Sequence, residues 1–143
     1  MAKRILVPLD GSESAEVAAG LAADLARSSG GHVRLLQVQP VPEHRVSSAG
    51  RVVAFADQEM ERLTAEGRDY LETVLARLGV VPTESVVRFG KPEQEILVEA
   101  EAFDADLIVL AAERRGWLAR LGTGLGERLL HASPVPVALV RAV

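Results

Sequence analysis

Two short stretches, Ile5–Leu9 (ILVPL) and Asp106–Ala112 (DLIVLAA), are almost wholly apolar and show no polar alternation. A strand with one face in water alternates apolar and polar residues, because successive side chains point to opposite sides. Unalternated runs of this length instead suit strands buried on both faces, as at the centre of a parallel sheet sandwiched between helices. That requirement makes the chain an α/β layer sandwich.

The rest of the chain fits this frame. After Leu9, Asp10-Gly11-Ser12 supplies turn and cap chemistry: Asp10 with Glu13 fits a capping box, and Ser12 is an equally good cap. Ala15, Ala18, Leu21, Ala22 and Leu25 then recur at helical spacing, predicting a first helix over 13–28 that Gly30-Gly31 closes. Val33–Val38 is a second strand. Pro40, Pro42, Ser47, Ser48 and Gly50 give the following segment the composition of a loop. A long second helix is expected over Ala54–Leu78, ending at Gly79, and a third strand over Ser85–Phe89. Pro92 suits the first turn of a third helix that turns Ile96, Leu97 and Ala100 inward. The run 106–112 is strand four, Glu113–Gly126 is a polar, glycine-rich loop, a helix carries Leu129 and Leu130, and Pro136–Val140 is strand five. Five strands alternating with four helices specify one doubly wound parallel sheet in the order 3-2-1-4-5. Ligands in such sheets bind beyond the carboxyl ends of the strands where the winding reverses. Here that is between strands one and four, at Asp10–Ser12 and Ala111–Leu125.

Composition narrows the chemistry. The 143 residues match one domain, and 48% hydrophobic against 25% charged residues is enough to build a core and keep a solvated surface. With no cysteine, disulfides, thiolate metal sites and thiol nucleophiles are excluded. No stretch approaches the ~20 apolar residues of a membrane helix, and the amino-terminal apolar run is too short for a signal peptide, so a cytoplasmic address is the expectation. A net charge of -4 argues against a dedicated nucleic-acid binder, and His32, His44 and His131 have no metal-ligand spacing. Arg114, Arg115, Arg120 and Arg128 lack interleaved stacking aromatics and read as a solvated face. Trp117 reads as cover for the edge of the core.

The segments ILVPLDGSESAEVAAGLAADLA, FGKPEQEIL, ADLIVLAA and ERLLHASPVPVALV resemble, in order, stretches of the universal stress protein family, and the resemblance covers essentially the whole chain. It implies a five-stranded parallel sheet of the adenine nucleotide alpha hydrolase-like kind, a homodimer and, in one branch, an ATP site, with magnesium present only alongside ATP. In that branch the loop after strand four is similar to G-x-x-G, nine residues, then G-S or G-T. The aspartate after strand one and a residue ending strand two hold the adenosine. Carried over residue by residue, Asp10 and Val38 are the adenosine contacts, with Pro8, Leu9 and Leu110 beside them. The first glycine falls at Ala111, the second at Arg114, the third at Gly124, and Leu125 stands where the hydroxyl belongs.

Glycine matters in such a loop because backbone N–H groups must approach phosphate closely, at φ angles other residues avoid. Two glycines and the hydroxyl are therefore missing. Gly122-Thr123 stands two residues earlier and restores a glycine and a hydroxyl if the loop is shortened. Arg114 and Arg115 are open to two readings: guanidinium groups that replace lost phosphate donors, or charged side chains that fill the phosphate space. Asp10 can accept from a ribose hydroxyl or hold a divalent ion through water, and it can equally serve the start of helix one. The chain has no Walker lysine pattern, and residues 134–143 contain no lysine for a phosphoacceptor site, so a binding or regulatory module with a weakened or lost adenine-nucleotide site is preferred to an enzyme, the alternative being an ATP-binding protein that uses Gly122-Thr123 or Gly124 and the loop arginines for phosphate. In the 3-2-1-4-5 order, strand five is an apolar sheet edge, and Pro136–Val140 is the expected surface of an isologous homodimer.

Overall fold

The computed structural model describes residues 3–42, 45–46, 52–112 and 124–141. In chain order these form β1 (Arg4–Pro8), α1 (Glu13–Ser29), β2 (His32–Gln39), β3 (Arg45–Val46), β4 (Val52–Ala54), α2 (Ala56–Arg77), β5 (Thr83–Phe89), α3 (Pro92–Phe103), β6 (Leu107–Ala111), α4 (Leu125–Ala132) and β7 (Val137–Val140). Strands β5-β2-β1-β6-β7 make a five-stranded parallel sheet in that order, the doubly wound arrangement expected. The segment expected to be a loop instead contributes an antiparallel pair, β3 with β4, placing Arg45 opposite Ala54 and Val46 opposite Val52. Ala54, expected to open the second helix, closes β4. The β-branched pair Val52-Val53 favours an extended backbone, a signal masked by the proline, serine and glycine residues around it.

Side-chain alternation along the strands divides the core in two. Ile5, Val7, Leu9, Val33, Leu35 and Val109 pack with α1 and α2 on one face. Leu6, Leu36, Val38, Ile108 and Leu110 pack with α3 and α4 on the other. The first helix begins where Ser12 Oγ accepts from the Ala15 N–H at 3.2 Å, and it ends at Gly30 in the left-handed region at φ 70°. It buries a face of alanines, Ala15, Ala18, Ala19, Ala22, Ala23 and Ala26. Leu21 and Leu25, which share the expected helical period, lie outside that face and are exposed. Small residues let the helix axis approach the sheet closely, so the larger side chains are left on the flank.

The second helix also comes close. A Cβ on Gly67 would strike Gln37 Oε1, and it would lie 2.9 Å from a methyl of Val87, so any larger residue there must displace side chains above the carboxyl ends of β2 and β5. Gly67 is the first buried residue of α2, and the turns before it, including exposed Met60, run past the end of the sheet. On the opposite face, α3 is tied down by charge. Glu99 is 3% exposed and accepts from Arg34 Nη1 at 3.4 Å, while Arg34 also donates to Glu84 at 3.2 Å and lies 4.3 Å from the centroid of the Phe103 ring. Arg4 stacks on the same ring at 4.4 Å.

A buried pair that loses one partner leaves the other charge uncompensated. Glu99→Ala should therefore lower the unfolding free energy by about 2–3 kcal/mol, whereas Glu84→Ala, at an exposed carboxylate, should cost under about 1 kcal/mol. Urea unfolding of both variants measures the contrast; equal costs would rule out a special role for the buried carboxylate.

Candidate functional site

The site begins with a hydrogen bond that proline cannot make. Strand β1 pairs with β2 along its whole length, from Arg4 opposite His32 to Pro8 opposite Leu36, and Leu9 N–H continues the ladder to Leu36 O at 2.7 Å. Backbone N–H groups alternate in direction along a strand, so Leu9 donating towards β2 turns position 8 towards β6. Pro8 has no N–H to give. Pairing of β1 with β6 accordingly covers only Ile5 with Leu107 and Leu6 with Ile108. Strand β6 meanwhile stays with β7 as far as Ala111 opposite Val140, and Ala112 N–H donates to Val140 O at 2.7 Å. The hydrogen-bonded ladder between the two central strands therefore ends short of their carboxyl ends, at the point where the sheet reverses its winding and a doubly wound sheet places its ligand crevice.

Asp10 stands over this crevice. Its Oδ1 accepts from Ser12 N–H at 3.0 Å, closing a tight turn through Gly11 at φ 87°, and Ser12 rather than Asp10 caps α1. Its Oδ2 is buried and makes no hydrogen bond. A buried carboxylate oxygen with no donor is costly in a folded protein. One group faces it that no sequence pattern announced. The Tyr70 hydroxyl, from α2, is also buried without a hydrogen bond of normal geometry. Burial, with the charges of Glu16 and Asp10, pushes its phenol up to about 12, against the opposing influence of the Gly11 backbone and Arg77.

The other expected contacts are apolar and belong to the core on both faces of the sheet. Pro8, Leu9, Val38, Leu110, Ala111 and Leu125 are all buried, Val38, Leu110 and Leu125 together in the α3–α4 cluster and Leu9 and Ala111 in the α1–α2 cluster. Gly124 immediately precedes α4, which starts at Leu125, earlier than the glycine-rich loop was expected to end. A Cβ at Gly124 would lie 2.9 Å from Arg128 Nη1, so glycine leaves room for that guanidinium, which donates through Nε to Glu93 on α3 at 2.9 Å. Of the expected phosphate-loop positions, Arg114, Gly122 and Thr123 lie outside the described residues, as do Arg115 and Trp117. Among the described residues no cluster of carboxylate and histidine groups could hold a metal ion, and no helix is long and apolar enough to cross a membrane. An open cavity of about 320 Å³, lined by Leu97, Ala100, Asp104 and Val135 among others, lies at the opposite, amino end of β6 and β7.

The sequence profile of the Universal stress protein family matches residues 1–141. The chain belongs to that family. It is 28% identical over 143 residues to a Thermus aquaticus protein described as the universal stress protein in the QAH/OAS sulfhydrylase 3' region, covering 99% of this chain and 100% of the relative. Among solved structures it is similar to the universal stress protein UspA of Lactobacillus plantarum, at 22% identity and a TM-score of 0.75 over 97% of each chain. It is also similar to a universal stress protein from Archaeoglobus fulgidus solved in complex with dAMP, at 20% identity and a TM-score of 0.64 over 96% of each chain. The described residues of this universal stress protein thus set one buried, unpartnered carboxylate oxygen at the point where the sheet reverses its winding.

Tyr70 is the chain's one tyrosine, so its ionisation can be followed alone. The folded phenol keeps its proton to about 12 against an ordinary value of 10.0, so between these pH values the unfolded chain releases a proton that the folded chain retains. Stability should fall as pH rises through that window. Phenolate absorbance of the native protein should titrate near 12, and Tyr70→Phe should flatten the alkaline loss of stability. A native midpoint near 10 would contradict this environment.

Proposed function

We propose that this chain is a binding and regulatory module of the universal stress response. It acts as a homodimer, and its crevice takes the nucleoside end of an adenine nucleotide while gripping a triphosphate weakly. The observation that carries the reading is Asp10 Oδ2, an acceptor without a donor just after β1, at the point where the sheet reverses. A ribose hydroxyl supplies a donor, and the apolar Val38 near the end of β2 suits a purine ring. The dAMP complex of the Archaeoglobus fulgidus relative supports an adenine nucleotide as the ligand class. Ala111, Arg114 and Leu125 stand where the ATP-binding branch has two glycines and a hydroxyl, so the second and third phosphates find fewer backbone donors.

AMP should therefore bind at least as tightly as ATP, with or without magnesium, and Asp10→Ala should weaken both by about tenfold, the loss of one hydrogen bond to a charged group. Calorimetry with the two nucleotides decides the matter. Tight, magnesium-dependent binding of ATP alone would replace this reading with the second one, in which the phosphates lie on Gly122-Thr123 or Gly124. The position of the Arg128 guanidinium against Gly124 favours that alternative. Ala111→Gly with Arg114→Gly separates them further: ATP affinity should rise if Arg114 obstructs the loop and fall if Arg114 holds phosphate.

The homodimer is read from the free edge of β7. Leu139 is 39% exposed on this edge strand and packs over Gly126, and Leu130, one turn further along the same flank of α4, is 47% exposed. Both would be covered by a second copy adding its own β7 to the sheet. Leu139→Glu with Leu130→Glu should give a folded monomer in sedimentation at micromolar concentration; an unchanged dimer would mean that another surface is used.

A further inference from the structure

Among the described residues, the layer of helices on the α1–α2 face leaves one strand without a helix of its own. In this layer α2 lies over β5 and β2, and α1 over β2, β1 and β6. Strand β7 is approached by α4, from the other face. Its residues Ala138 and Val140 point to the α1 face, where they are only partly buried against the cluster that holds the α1 alanines. Packed helices lie about 8–10 Å apart, close to two strand spacings of ~4.8 Å, so the next helix position beside α1 falls over β7.

The flank of α1 turned towards that position is apolar. Val17, Leu21 and Leu25 are spaced i, i+4, i+8 and are 51%, 43% and 40% exposed. Glu16 and Arg27, on the opposite flank, reach α2 by pairing with Arg77 and with Leu78 O. The apolar row is thus the side away from α2, and it stands as a wall beside the floor of Ala138 and Val140. Exposed Glu13 begins the same row, and exposed Asp24, which also pairs with Arg27, lies at its outer rim.

We propose that this shelf is a docking site for an amphipathic helix of a partner protein. The partner lays its apolar face against Val17, Leu21 and Leu25 and carries Lys or Arg on the flank that meets Glu13 and Asp24. A helix fits because the shelf has the width and the straight apolar row of a helix position, and a basic flank fits because the rim is acidic. This site is separate from the nucleotide crevice and does not depend on it.

The test uses the full chain and a fluorescein-labelled Leu/Lys amphipathic peptide of about 18 residues, long enough to lie along α1. Fluorescence anisotropy should show saturable binding that weakens about tenfold or more for Leu21→Glu with Leu25→Glu, since each leucine contributes buried apolar area. Leu21→Gln with Leu25→Gln should show the same direction without added charge, and circular dichroism checks that each variant is folded. The corresponding Leu/Glu peptide should bind several-fold more weakly than the Leu/Lys peptide. Three results would overturn the proposal: binding of the Leu/Lys peptide that is absent or indifferent to these substitutions, sedimentation showing that they dissociate a dimer, or co-sedimentation with phosphatidylserine vesicles that they abolish. The second result would assign the row to a second copy of the chain and the third to a lipid surface.

Discussion

The end of the β1–β6 ladder at Leu6 shapes the carboxyl end of the sheet. Both strands are central and buried, so each backbone polar group along them needs a partner, and β1 finds its partners on the β2 side as far as Leu9. Towards β6 the ladder stops after Leu6, because Pro8 has no proton to donate. Strand β6 stays paired with β7, to which Ala112 is still bonded. The ladder at the reversal point is thus interrupted by the backbone itself, before any side chain is considered, and the turn at Gly11 sets Asp10 there, just ahead of α1.

Packing elsewhere serves to hold that geometry. The alanine face of α1 and the glycine at position 67 of α2 let both helices lie close over the sheet, and close approach excludes water from the sheet residues beneath them. The opposite helix layer adds a directional constraint. Glu99 reaches from α3 to Arg34 on β2, and Arg34 in turn covers Phe103, so sliding α3 along the sheet would expose an ion pair and a ring contact together. Three buried side-chain polar atoms among the described residues have no hydrogen-bond partner: Arg34 Nε in this ion-pair cluster, and Asp10 Oδ2 and the Tyr70 hydroxyl at the candidate site.

Parts of the site were legible in the chain. The unalternated runs at 5–9 and 106–112 gave the central strands, the 3-2-1-4-5 order gave the reversal point, and Asp10 followed from its place after the first strand. The missing glycines at 111 and 114 are also read directly from the sequence. Tyr70 was not legible, because it lies sixty residues beyond Asp10 on a helix whose apolar period it does not mark. The Arg128–Glu93 pair at Gly124 was equally hidden, since i+4 spacing brings Arg128 back to Gly124 but nothing local says that α3 will deliver a carboxylate there. The β3–β4 pair was missed where turn formers outweighed two valines.

The sequence by itself determined the class of fold, the order of its strands and the absence of thiol chemistry, because these depend on local periodicity and on residue identity. It also determined which glycines a phosphate loop would lack. The tertiary structure decided which oxygen of Asp10 is left without a donor, which tyrosine stands near it, and which side of α1 is apolar and open. Those properties depend on how the turn after β1 sits against the neighbouring elements and on how closely a helix lies above the sheet, and both are set by packing between residues remote in the chain.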